Sequence, residues 1–132
     1  MDKILLVGRS FTNEMMEAGA VFVSEIEKSS LHLHAALWIQ PTPDDFWKFV
    51  LAFPEVRLEG PRAVYKKLRS ISNRIPQNEF RIGTEIVSVV EERDRLIQIF
   101  KGVIRVDGGG VRFARNSLNG TYIEDAYIYK MV

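Results

Sequence analysis

The chain has 132 residues, 46% hydrophobic and 27% charged, which suits one globular domain over residues 1–132 and excludes a disordered chain. The absence of cysteine excludes a disulfide framework, a thiolate nucleophile and a cysteine-based metal site. Net charge is only +1, but it is unevenly spread: residues 12–45 carry six acids against Lys28, and residues 57–81 carry seven cations against Glu59 and Glu79. That polarity suits either a partner that reads it or two solvated faces that partly neutralise one another.

The apolar run Ile4-Leu5-Leu6-Val7 is too short for a secretory core, and no apolar stretch approaches about 18 residues. A cytoplasmic protein without a membrane partner is therefore expected. Residues 3–7 suit a short strand or a backward extension of the next element. Met15, Gly19, Phe22 and Ile26 recur at helical spacing and predict an amphipathic helix over 12–28, with Thr12 or Asn13 as cap. Residues 31–40 alternate: Leu31, Leu33, Ala35, Leu37 and Ile39 point one way, and His32, His34, Ala36, Trp38 and Gln40 the other, as in a strand. Pro41 to Asp45 breaks it. Residues 45–53 combine a good helix start with an aromatic-rich run ending at Pro54; the reading adopted is a strand that pairs with 31–40 as a hairpin.

Gly60-Pro61 opens a helix over 61–73, with Val64, Leu68 and Ile71 inward and Arg62, Lys66 and Arg69 on an outer face. Residues 72–81 read as a loop, and 86–90, β-branched and continuous, as a well-buried strand. Residues 93–101 predict a short helix with Leu96, Ile97 and Phe100 inward, closed by Gly102. The remainder reads as an antiparallel meander: strand 103–106, a turn at Asp107-Gly108-Gly109-Gly110, strand 111–115, a turn through Asn119-Gly120, then one or two strands to Met131, bent at Glu124-Asp125. The expected fold is α+β: a mostly antiparallel sheet, made of an N-terminal hairpin and a C-terminal meander, with about three helices packed on one face.

Three segments, Ala35-Ala36-Leu37-Trp38-Ile39, Val50-Leu51-Ala52-Phe53-Pro54 and Glu59-Gly60-Pro61-Arg62-Ala63-Val64-Tyr65, resemble a widespread group of small uncharacterised bacterial proteins. So do Val111 to Asn116, Asn119-Gly120 and the ending Ile123-Glu124-Asp125-Ala126-Tyr127-Ile128-Tyr129-Lys130-Met131. The resemblance covers residues 17–131 and favours the strand reading of 45–53. It implies no activity, cofactor or catalytic residue.

No catalytic set is legible. His32 and His34, the only histidines, would share a strand face and are weak metal candidates that lack a third ligand. Gly108-Gly109-Gly110 has no P-loop lysine and opens no helix, and no Gly-x-Ser-x-Gly elbow occurs. No cofactor is expected. The richest polar cluster is C-terminal: Arg112, Arg115, Asn116, Asn119, Glu124, Asp125, Tyr127 and Tyr129 combine the residue types that interfaces favour, and equally suit ion pairs that stitch a sheet. The leading expectation is a non-enzymatic module that binds a protein partner or a second copy through these strands. The alternatives are a small enzyme or ligand-binding domain with a pocket near Arg112, Arg115, Glu124 and Asp125, and nucleic-acid binding through the basic helix 61–74 with Arg62, Lys66 and Arg69.

Overall fold

Residues 35–39 are apolar on both sides, and in the computed structural model, which describes residues 3–132, both sides are covered. They form the central strand of a five-stranded sheet. In chain order the elements are β1 (Lys3–Ile4), α1 (Asn13–Glu27), β2 (Ala35–Gln40), β3 (Lys48–Ala52), α2 (Pro54–Glu59), α3 (Pro61–Ser72), β4 (Phe80–Arg81), β5 (Val87–Val90), α4 (Arg95–Lys101), β6 (Val106–Leu118) and β7 (Thr121–Met131). The sheet order is β5-β3-β2-β7-β6, antiparallel except for the parallel β3–β5 pair; β1 and β4 form a separate two-stranded parallel sheet.

The fold is α+β and mostly antiparallel, but the helices lie on both faces of the sheet and number four. On one face Met15, Phe22 and Ile26 of α1 and Val64, Leu68 and Ile71 of α3 pack on Ala36, Trp38, Phe49, Leu51 and Tyr129. On the other, Ile97 and Phe100 of α4 cover Leu37, Ile39, Val50, Ala126 and Ile128. A central strand with apolar side chains on both sides demands cover on both.

The N-terminal helix forms as expected. The Thr12 hydroxyl accepts a hydrogen bond from the Met15 N–H at 3.1 Å, relieving one of the unpaired amides at the helix start. The hairpin of β2 and β3 also forms, with Ala35 opposite Ala52 and Ile39 opposite Lys48. Aromatic and branched side chains on alternate faces outweigh the helix-start signal of Thr42 to Asp45. The regular strand begins only at Ala35, however. Leu31 and Leu33 turn into the α1-side core, opposite to Leu37 and Ile39, because the chain leaves the strand repeat before His34.

Four further expectations are corrected. Pro54 does not merely end β3; it starts α2, where its missing N–H is harmless at the first turn. The loop 72–81 ends in the short β4. β5 is an edge strand with only Val87 buried, so its continuous apolar run does not mark a central position. Finally, Gly108-Gly109-Gly110 does not reverse the chain. All three glycines have positive φ, between 71° and 111°, and form an irregularity inside β6 where the register against β7 shifts between Asp107 and Val111. The C-terminal third is thus one long hairpin and not a meander, and β7 runs unbroken through Glu124 and Asp125.

Candidate functional site

The C-terminal ribbon carries the sequence-based candidates. Its turn residues Asn119 and Gly120 have φ of 48° and 82°, the two positive values that a tight hairpin turn of the primed kind requires. Antiparallel pairing sets Arg112 opposite Tyr127 and Ala114 opposite Asp125, so Arg112 and Asp125 are diagonal neighbours on one face. There the guanidinium forks onto the carboxylate with distances of 2.6 and 2.5 Å, which raises the arginine pKa. The same guanidinium lies 5.0 Å from the Phe11 ring centre and 5.7 Å from that of Trp47. Arg112 therefore clamps the N-terminal loop, the β2–β3 loop and the ribbon together.

Tyr127 and Tyr129 share a face, as alternation predicts, but that face is the α1-side core. Their rings are 5.1 Å apart, and Tyr127 lies 5.4 Å from Phe11. Tyr129 is buried and donates its hydroxyl to the Met16 carbonyl at 2.7 Å, and burial raises its pKa. These tyrosines are structural anchors and do not form the exposed surface that their position in the sequence suggests. Glu124 accepts a hydrogen bond from Tyr122 at 3.0 Å and does not converge with Asp125. Asn116 accepts from the Ser117 N–H at 2.8 Å. Arg115 is exposed, with a φ of 46° that is unusual for a side-chain-bearing residue. Arg112, Arg115, Glu124 and Asp125 thus do not meet around a common cavity, and three shallow hollows of the surface are lined by other residues.

The two edges of the sheet differ. At β5 the Tyr65 hydroxyl donates to the Val87 carbonyl at 2.8 Å and accepts from the Val89 N–H at 3.3 Å. An α3 side chain thereby occupies polar groups of that edge which would otherwise pair with another strand. β6, 13 residues long, is hydrogen-bonded to β7 on one side and forms the other end of the sheet. It exposes Asp107, Gly108, Gly109, Arg112, Ala114, Arg115, Asn116 and Ser117, and Val111 is 37% exposed. Sequence reasoning overlooked this edge because it took the glycines for a turn. Their clustering with flanking strand residues was the available signal, since a bulge also calls for positive φ.

His32 and His34 gather no metal set. The His32 ring nitrogen Nδ1 lies 2.6 Å from the Glu55 carboxylate, and the His32 N–H donates to the same group at 3.2 Å. Among the described residues no group of three metal-ligating side chains occurs. Glu55 was not singled out from sequence; it reaches His32 only because α2 follows β3 directly. Burial pushes the Glu55 carboxyl up, but hydrogen bonds from the His32 ring, the His32 N–H and its own N–H outweigh this and hold it below its ordinary value of 4.5. A depressed carboxyl contributes stability above its unfolded-state pKa and loses it as the pH falls through the folded-state value. Glu55→Gln is therefore expected to cost about 1–2 kcal/mol at neutral pH, and the difference from the native chain should shrink as the pH falls through the acid range, as read by urea unfolding.

The basic helix keeps its cations outward. Arg62, Lys66, Arg69 and Arg74 are exposed and have no ion pair with an acid among the described residues, whereas Lys67 pairs with Glu59 at 2.8 Å. The acids of 12–45 that form ion pairs do so elsewhere, as in Glu25–Lys28 and Glu27–Lys130. Among the described residues no helix is long and apolar enough to cross a membrane. No protein-family model, curated protein or solved structure shows significant similarity to the chain.

Proposed function

We propose that the chain is a cytoplasmic, non-enzymatic self-association module that pairs with a second copy through the open edge of β6. The observation that carries this reading is the asymmetry of the sheet: one edge is closed by Tyr65, and the other presents 13 residues of strand. The sequence of β6 is also complementary to itself. Because the glycine irregularity shortens the strand by two residues, antiparallel pairing with Val111 on a two-fold axis sets Asp107 level with Phe113 of the second copy and makes Arg115 its diagonal neighbour, within reach of a long side chain, twice over. The exposed Val111 side chains then meet at the axis. The pairing of Arg112 with Asp125 supports the non-enzymatic reading, since it ties up the best-placed charges of the ribbon.

Charge reversal tests this directly. Light scattering coupled to size exclusion should show a concentration-dependent dimer for the native chain. Asp107→Arg or Arg115→Asp alone should weaken it about tenfold, and the double variant should restore it. A strict monomer at the highest soluble concentration, or single variants that dimerise as well as the native chain, would overturn the proposal.

A further inference from the structure

Beyond self-association, we propose that the outer face of α3 is a binding site for single-stranded nucleic acid. A shallow hollow of about 570 Å³ lies against this helix, lined by Pro61, Arg62, Tyr65, Lys66 and Arg69. Three cations and one tyrosine line the hollow, the tyrosine half-buried with its ring packed against the α1-side core, and no acid lines it. Helical spacing at i, i+4 and i+7 sets the cations in a row about 10 Å long. All three are exposed and free of acidic partners among the described residues, so their charge is available to a ligand.

A second hollow, of about 310 Å³, lies against the same helix. Among its lining residues Arg74 adds a fourth exposed cation without an acidic partner among the described residues, whereas Lys67 is paired with Glu59 and the Ser29 and Ser70 hydroxyls donate to the Ile26 and Lys66 carbonyls. The acids of the flanking elements do not quench the row. Glu59 is held by Lys67, Glu92 by Arg57 at 2.6 Å, and Glu25 by Lys28.

The ring beside the cations selects the ligand. A duplex keeps its bases paired and stacked and would meet this helix face with its phosphates alone. A single strand follows such a surface and offers unpaired bases to a ring. A tyrosine bordered by basic side chains is the arrangement that binds such strands without reading their sequence. Tyr65 is held in place by its bonds to Val87 and Val89, which orders the ring before any ligand arrives. An anionic membrane is the poorer match, because the exposed α3 side chains are polar or charged apart from Pro61 and offer little to insert into lipid.

The test is fluorescence anisotropy with a labelled oligo-uridine of about 12 nucleotides, titrated at salt concentrations from about 20 to 200 mM. Three phosphate contacts predict a slope of log K against log salt of about −2. Arg62→Ala with Arg69→Ala should flatten it to about −0.7 and weaken low-salt binding at least about tenfold. Tyr65→Leu, with folding checked by circular dichroism, should weaken binding about tenfold at unchanged slope, the signature of lost stacking. Asp107→Arg and Arg115→Asp should leave oligonucleotide binding intact, which separates this site from the β6 edge. No binding at the lowest salt, a duplex bound as tightly as the single strand, a slope indifferent to Arg62 and Arg69, or binding confined to phosphatidylserine vesicles would each overturn the proposal.

Discussion

Replacing Trp38 with alanine is expected to destabilise the protein by about 3–5 kcal/mol, a large part of the stability of a domain this size. Trp38 is fully buried at the centre of β2, opposite Phe49 on one neighbouring strand and Tyr127 on the other. Its ring centre is 4.8 Å from that of Phe49 and 6.5 Å from that of Phe11. The indole N–H donates to the Met15 carbonyl at 2.9 Å, so the same side chain fills the core and holds α1 on the sheet. Truncation removes the transfer energy, opens a cavity that surrounding strands cannot close, and deletes the bond to α1. Thermal unfolding followed by circular dichroism should show a midpoint lower by roughly 10–20 °C. Trp38→Phe, which keeps much of the packing and loses the N–H, should fall between the two. A shift of less than about 1 kcal/mol for the alanine variant would mean that α1 and the sheet are not coupled through this residue.

Gly19→Ala should destabilise by about 1–3 kcal/mol, although alanine is the better helix former by about 1 kcal/mol. Gly19 lies on the buried face of α1, and a methyl group built there would come within 2.1 Å of the Tyr129 hydroxyl oxygen and 2.5 Å of the adjacent ring carbon. The ring has little room to retreat. It lies between Phe49, with centroids 6.0 Å apart, and Tyr127, and its hydroxyl is fixed to Met16. The helix must therefore shift away from the sheet or the tyrosine must leave its pocket. A double-mutant cycle isolates this cause. In a Tyr129→Leu background the shorter side chain leaves space, and Gly19→Ala should become neutral or stabilising. A penalty of equal size in both backgrounds would place the clash elsewhere. The same contact shows why the C-terminal tyrosines are unavailable as a surface: α1 approaches β7 closely enough that only glycine fits beneath Tyr129.

Local chemistry made several elements legible. The cap at Thr12 and the stripe of Met15, Gly19, Phe22 and Ile26 define α1 from interactions within a few residues of one another. The hairpin of β2 and β3 and the Asn119-Gly120 turn likewise rest on adjacent positions. Gly108 to Gly110 shows where such reasoning stops. A glycine run permits both a reversal and a bulge, and the choice depends on β7, whose residues pair with it from farther along the chain.

The candidate site divides along the same line. Alternation placed Tyr127 with Tyr129 and marked the basic row of α3, since both follow from repeat geometry. It could not say that the tyrosine face is core, because β7 becomes an inner strand between β2 and β6, covered on both faces, only in the assembled sheet. The pairings around the candidate site all join distant positions: Arg112 with Phe11 and Trp47, Glu55 with His32, Tyr65 with the β5 edge. What this chain's sequence determined alone was α1, the β2–β3 hairpin, α3, α4 and the Asn119-Gly120 turn, because short-range sterics and hydrogen bonding act within one turn or one strand. Which edge stays open, and which cations stay unpaired, was decided only in the tertiary structure, where burial and Coulomb forces act between residues that sequence separates.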